Sequence, residues 1–404
     1  YNNTVSATTA TLSVDPRIDV LAPGVGATYQ VTLTLSQGIV DNHQVLVNSV
    51  TATGTLVTRA GVTLQGSGHI NIQDSNDRVA IFGAVIAEGG PLHLGSIDNN
   101  GAAIEIDATN GTVSFDALND VILNAADGQS GNVTLTGNGD LNDVTLAIRT
   151  ELVATSEHMT SQVTEGLKLD GVDLVLAGSA TATATLNFKG PQTIEGSGRI
   201  LFSDRFKTED RYNTGNVLSF DGILENQREA FTISDEISIS GTGRIDVSNG
   251  DILEYDGNIQ AKGGIFSVQG ISTIAGELDI RAQSSLLFDQ GFALEQTSSL
   301  TVELAGSDLE TSIGLLEVNG ILAQGGTLRF DINSDFNAAL GQEFLIALAA
   351  EGFSDRFESI QGFNISEEHG LALISDNNRL LARVVPLNEA GQQYKRSDYP
   401  LPQR

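Results

Sequence analysis

Oxygen-bearing side chains at alternate positions are the first place where this chain could do chemistry. Asn138-Gly139-Asp140-Leu141-Asn142-Asp143 carries carboxylates and amides in the alternation by which a loop wraps a hard cation. Calcium is the ion that Asn138, Asp140, Asn142 and Asp143 would take. The stretch lacks the central Gly and the distant Glu of an EF-hand, position 149 being Arg, and turn chemistry accounts for the same residues. A second concentration lies in 203–216, where Asp204, Arg205, Lys207, Glu209, Asp210 and Arg211 follow closely. Acids beside bases on a loop are what general acid–base cleavage of a polysaccharide needs. Consecutive charges on one loop are also the ordinary face a loop turns to water.

The five histidines, His43, His69, His93, His158 and His369, occupy separate contexts. His69 and His93 fall at outward strand positions whose sister copies carry Arg or Ser, so they are expected on solvated faces. His158 beside Met159 has no second-ligand spacing and is expected to pack rather than ligate. No nucleophile elbow, phosphate loop or His-Glu-x-x-His helix is present. No catalytic residue is assigned and no cofactor is required, with calcium the one candidate ion.

The elements that must position these groups show in two recurring phrases. Ile239-Ser240-Gly241-Thr242-Gly243-Arg244-Ile245-Asp246-Val247 returns as Leu64-Gln65-Gly66-Ser67-Gly68-His69-Ile70 and as Ile194-Glu195-Gly196-Ser197-Gly198-Arg199-Ile200. Ala261-Lys262-Gly263-Gly264-Ile265-Phe266-Ser267-Val268 returns at Ala87-Glu88-Gly89-Gly90 and at Ala323-Gln324-Gly325-Gly326. Each reads as a glycine turn followed by an alternating strand. Repeats of roughly twenty residues are the length of a solenoid coil. Residues one coil apart then stack at roughly 4.8 Å, which places Val113 under Val133. Ile245, Val247, Phe266 and Val268 are expected to point inward, with Thr, Ser, Asn and Asp outward. Leu152, Val153, Met159, Val163 and Leu167 fall at three- and four-residue steps, which predicts a short helix there.

The expected fold is therefore all-β: a right-handed parallel β-helix (β-solenoid) with an irregular β-rich cap over 1–54 and a short tail. Coils run over 55–300, with insertions near 151–170 and 203–216. Closing coils occupy 301–385, and an extended tail occupies 386–404.

Composition narrows the partners. The chain has 51 acidic residues against 21 Lys and Arg, a formal net charge of −30. Such a surface repels nucleic-acid phosphates and anionic lipids, so neither is expected as a partner. Only 18 % of residues are charged while 40 % are hydrophobic, enough apolar material for a sizeable core. Cysteine is absent, which excludes disulfides and thiolate metal sites. No apolar run reaches the length of a membrane-spanning helix. The opening Tyr1 is expected of a processed or trimmed polypeptide.

One segment carries a family resemblance. Leu300-Thr301-Val302-Glu303-Leu304 is followed by Leu316-Glu317-Val318-Asn319-Gly320 and Gly326-Thr327-Leu328-Arg329-Phe330. Then come Phe344-Leu345-Ile346, Phe357-Glu358-Ser359-Ile360 and Leu380-Leu381-Ala382-Arg383-Val384-Val385. This order, over 300–385, resembles the C-terminal end of secreted bacterial β-helix surface proteins, the autotransporter-passenger and filamentous-haemagglutinin-like group. The resemblance implies a parallel β-helix and an extracellular, cell-surface location, and it brings no catalytic residues. Nothing like a membrane barrel or hydrophobic sorting tail follows Val385. The function expected is a non-enzymatic structural or adhesive rod that binds its own copies or a surface glycan. The alternative is a carbohydrate-active β-helix enzyme, a polysaccharide lyase or hydrolase centred on 203–216. Self-assembly would use the two ends of the chain. Lys395 and Arg396 put positive charge on an acidic body, and Tyr394 and Tyr399 offer rings to a neighbour.

Overall fold

A computed structural model describes residues 10–11, 32–33, 44–52, 56–58, 63–72, 79–126, 131–136, 138–179, 181–205, 215–222, 228–248, 250–271, 273–306 and 313–396. The described chain is all-β and parallel pairing dominates, with a short 3-10 turn at Leu387–Glu389. No described helix is long and apolar enough to cross a membrane. The chain forms two compact units. One comprises 1–176 with 184–188 and 194–198, and the other comprises 177–183, 189–193 and 199–404.

In the first unit, Ala10–Thr11 pairs antiparallel with Thr32–Leu33, which pairs antiparallel with Gln44–Ala52. Gln44–Ala52 itself pairs parallel with Thr63–Ile72, so the parallel ladder begins ahead of the boundary expected at residue 55. Three rows of strands then stack coil on coil. One runs Leu92, Val113, Val133, and Thr150 continues it with its hydroxyl donated to the Ile148 carbonyl at 3.1 Å. Val113 thus lies beside Val133, as the spacing predicts. A second runs Ile104, Leu123, Leu146, Leu169. The third is the longest: Val79, Ile97, Leu118, Leu141, Val163, Phe188, none of them more than 2 % exposed. Branched and aromatic side chains repeat at one site per coil because each buries its face against the same face one rung away.

The helix expected near 151–169 is not there. Thr150–Ala154, Met159–Val163 and Leu167–Gly178 are three strands, with Ser161 and Val163 buried alternately and Leu174–Gly178 buried throughout. Leu152, Val163 and Leu167 are all buried but belong to different strands, so their helical spacing is a strand step plus a turn.

The second unit also stacks three rows. Ile239, Ile259, Leu278, Leu300 and Leu328 form one. Phe266, Leu286, Leu316 and Ala347 form another, and Ile245, Val268, Phe288 and Val318 run alongside it. The third face is a separate parallel sheet made of Thr273–Ile274, Phe292–Leu294, Ile321–Gln324 and Gly352–Asp355. Ile245, Phe266 and Val268 are fully buried and Val247 nearly so, all on the inner face as predicted. The coil lengthens toward its end: Asn258, Glu277, Ser299, Thr327 and Ser359 share one row, so successive coils take 19, 22, 28 and 32 residues.

The glycine phrases correct their own reading as turns. Gly241 and Gly243 sit inside one continuous strand, Ile237–Val247, where the register shifts. The same shift falls at Gly66 and Gly68 within Thr63–Ile72. Gly241 has φ +120, and a Cβ there would meet the Phe202 carbonyl oxygen at 2.0 Å. At these positions the strand bends without breaking, which only Gly permits at so close an approach, whereas Gly325-Gly326 separates two strands, Ile321–Gln324 and Thr327–Ile332, as the turn reading has it.

Where a bend interrupts the ladder, a buried amide mends it. Asn99, fully buried, accepts from the Ile81 N–H at 2.6 Å and donates to the carbonyls of Ile81 and Ala102. Asn216, equally buried, accepts from the Gly178 N–H at 2.6 Å and donates to the carbonyls of Ser203 and Thr242 at 2.8 and 2.9 Å. Between Ser203 and Asn216, residues 206–214 of the charged insertion lie outside the described residues, as do Lys207, Glu209, Asp210 and Arg211.

Parallel stacking ends at Ser359–Gln361. Glu343–Ala349 pairs antiparallel with Arg379–Pro386, which turns back onto His369–Asp376, and Gln393–Lys395 joins last in parallel. Leu371, Ala372, Leu373 and Ile374 are all buried, so both faces of this hairpin are covered, as the closing element of a stack requires.

Candidate functional site

The calcium candidate is built on the strand Asp140–Ala147 and the residues before it. Asn138 Oδ1 accepts the Thr160 N–H at 2.7 Å, and Asn142 Oδ1 accepts the Thr164 hydroxyl, so both amide oxygens serve the next coil. Asp140 begins the strand, while Asp143 takes the left-handed conformation at φ +50. Among the described residues no three His, Asp or Glu side chains gather where a metal ion could sit. If screening of the net charge of −30 is the only effect of ions, calcium and sodium at matched ionic strength raise Tm equally. Thermal melts of the wild type and Asp140→Ala check this; a calcium-specific gain that Asp140→Ala abolishes would restore the site.

The structure brings together a group that sequence reading left on a solvated face. His93 Nδ1 lies 3.1 Å from Ser114 Oγ and Nε2 lies 3.2 Å from Asp116 Oδ2. The His69 ring lies one coil away, 5.4 Å between centroids and tilted by 56°. The signal was in the register: Leu92 stacks on Val113, so His93 must stand beside Ser114. The hydrogen bond from His93 holds the Asp116 carboxyl below the usual carboxylate range, with Thr136 adding to it. Asp116 is ionised and paired above the ordinary carboxylate pKa, and that contribution to stability is lost as pH falls through the depressed value.

A serine, an imidazole and a carboxylate in line resemble a hydrolytic triad, but the rest of the chemistry does not follow. Ser114 is only 7 % exposed and is the next-to-last residue of the strand Ser96–Phe115. The neighbouring N–H of Asp116 is bonded to the Gly95 carbonyl at 2.8 Å, and the Ser114 carbonyl accepts from Leu94. An oxyanion needs free donors beside the nucleophile, and this backbone is committed to the ladder.

Other polar groups form cross-coil staples. Arg281 reaches Asp279 and Asp331 at 2.8 Å each and Glu303 at 3.9 Å, binding carboxylates from successive coils. Burial pushes the Tyr255 phenol far above its ordinary pKa, and its hydroxyl lies between the carbonyls of Ile237 and Asn258.

At the C-terminal end, the residues expected to serve assembly are drawn into their own chain. Tyr394 and Lys395 pair through their backbones with Ile374 and Ser375. The Tyr394 hydroxyl donates to Gln392 at 2.6 Å. Arg396 contacts Glu343 at 2.7 Å and Asp376 at 3.1 Å. Tyr399 lies outside the described residues. Nearby, a cleft of about 640 Å³ opens between successive coils, lined by Glu295, Gln324, Asp355, Arg356 and Glu358. Compared with known proteins, the chain matches no family model and no curated sequence.

Proposed function

We propose that this chain is a non-enzymatic extracellular structural protein: a right-handed parallel β-helix displayed at a bacterial surface, able to join its copies end to end. The observation that carries this reading is the coil-on-coil register. Apolar rows stack in parallel within each unit, with antiparallel strands at the N-terminal end of one and the C-terminal end of the other. Such a body draws stability from a continuous core and backbone ladders without disulfide or cofactor, as an exported scaffold must. Right-handed connections are the rule when parallel strands are joined within one sheet. Its polar groups pair mostly with the next coil, as in the Arg281 and His93 clusters, which favours a scaffold over a catalyst.

End-to-end joining would use edge strands. Ala10–Thr11 in the first unit and Gln393–Lys395 in the second are the outermost strands of their ladders among the described residues. Unpaired backbone groups on such strands recruit another chain. With Arg396 engaged by Glu343 and Asp376, Lys395 is the positive charge left for an acidic partner end among the described residues of the tail. Light scattering across protein concentration, with electron micrographs of the same samples, tests the reading. The full chain is expected to grow with concentration into rods or fibres, and versions lacking 1–30 or 387–404 to stay smaller. Monomers from all three at every concentration would overturn the assembly.

A further inference from the structure

We infer that the cleft between the last coils of the second unit binds an uncharged saccharide. This goes beyond the scaffold reading and stands whether or not copies join. The cleft measures about 640 Å³, within the range of roughly 300–1,000 Å³ that holds small organic ligands. Its wall is built by consecutive rungs of the third face, with Gln324 ending the strand Ile321–Gln324 beside Asp355 on the next.

Two features point to a ligand that both donates and accepts hydrogen bonds. Gln324 is 3 % exposed, and its amide meets that of Gln393 through a single bond of 2.7 Å. This leaves Gln324 Nε2 without an acceptor and Gln393 Oε1 without a donor. Buried amide atoms are rarely left so, because each forfeits a hydrogen bond it had in water. Of the two, Gln324 lines the cleft, and a ligand hydroxyl there would accept from its Nε2. Around them the carboxylates of Glu295, Asp355 and Glu358 have no hydrogen-bond or ion-pair partner among the described residues, so they stand as acceptors for further hydroxyls. Arg356 contributes donors, one of them already directed at the Gln393 carbonyl at 3.4 Å. Asp355 also holds a left-handed backbone at φ +59, a conformation that recurs at binding sites.

Charge selects among polyols. Three carboxylates against one guanidinium repel uronic acids and other anionic sugars. The same carboxylates do not gather as a metal site, which directs the cleft toward hydroxyls rather than a cation. No aromatic ring lines the cleft, so recognition would rest on hydrogen bonds alone and be weak, with discrimination by hydroxyl position.

Saturation-transfer NMR on the full chain tests this, using maltose, cellobiose and lactose as neutral probes and digalacturonate as the anionic one. At least one neutral disaccharide is expected to receive saturation and digalacturonate none. Glu358→Gln, an exposed substitution, and Gln324→Leu, which extends the apolar row, are each expected to weaken that binding by about tenfold. Unchanged melting of Glu358→Gln shows that its loss is local even where Gln324→Leu destabilises the coil. Absence of transfer to every neutral probe, equal binding by Glu358→Gln, or preference for digalacturonate would each overturn the inference.

Discussion

Phe266→Asp is expected to destabilise the second unit by at least about 4 kcal/mol and to open it to protease at temperatures where the wild type resists. Truncating a buried Phe costs about 3–5 kcal/mol through lost contacts and the cavity left behind. A carboxylate with no partner in that cavity adds a desolvation penalty, or must bind a proton to avoid it. Phe266 is fully buried, lies between Gly243 and Leu286 in its row, and stacks on Phe202 at 5.2 Å with the rings 7° from parallel. Phe266→Leu keeps the site apolar and is expected to cost much less, about 1–1.5 kcal/mol. Urea unfolding and limited proteolysis of both variants check the pair. Wild-type resistance in Phe266→Asp would remove this side chain from the core and shift the register of every coil stacked on it.

Asn216→Leu has the second-largest expected effect, about 3–5 kcal/mol, although it replaces a polar side chain by an apolar one of similar size. The loss comes from what Asn216 serves. The Gly178 N–H and the carbonyls of Ser203 and Thr242 would all be left buried and unanswered, at about 1–3 kcal/mol for each group. Asn216→Asp keeps the acceptor for Gly178 but cannot donate to the two carbonyls, and it is expected to be no better. The urea midpoint is the measurement, and a Leu variant within about 1 kcal/mol of wild type would show that other groups mend this gap.

The inner face was legible before the structure, because burial imposes a pattern of alternating apolar residues that needs no knowledge of neighbours. Phe266, Val268 and the Val113–Val133 pair followed from that pattern alone. Groups that depend on which residue lies one coil away were far less legible. A coil takes 17 residues from Val133 to Thr150 and 32 from Thr327 to Ser359, so no single period aligns outward residues. His93 was therefore separated from Ser114 and Asp116, and Gln324 from Gln393, a pair 69 positions apart. Gly241 was misread for a different reason: a glycine that turns the chain and one that bends an unbroken strand look alike until the register shift is seen. At 151–169 the spacing of Leu152, Val163 and Leu167 mimicked a helix because short strands and short turns sum to helical intervals.

Unequal coil lengths in the second unit bear on how such a chain tolerates errors in its own copying. In a coiled coil, one inserted residue displaces every later side chain from the seam, because position is counted continuously along the helix. Here position is counted afresh on each lap. Leu278, Leu300 and Leu328 stay in line although 22 residues separate the first two and 28 the next. On the next lap, 32 residues from Leu328 to Ile360, part of the surplus lies at a corner in Ser334 and Asp335, both exposed. A gene for such a protein can gain or lose codons at a corner and disturb only the lap that carries them. Mutational drift therefore accumulates as ornament on the outside, while the row of leucines within keeps its count.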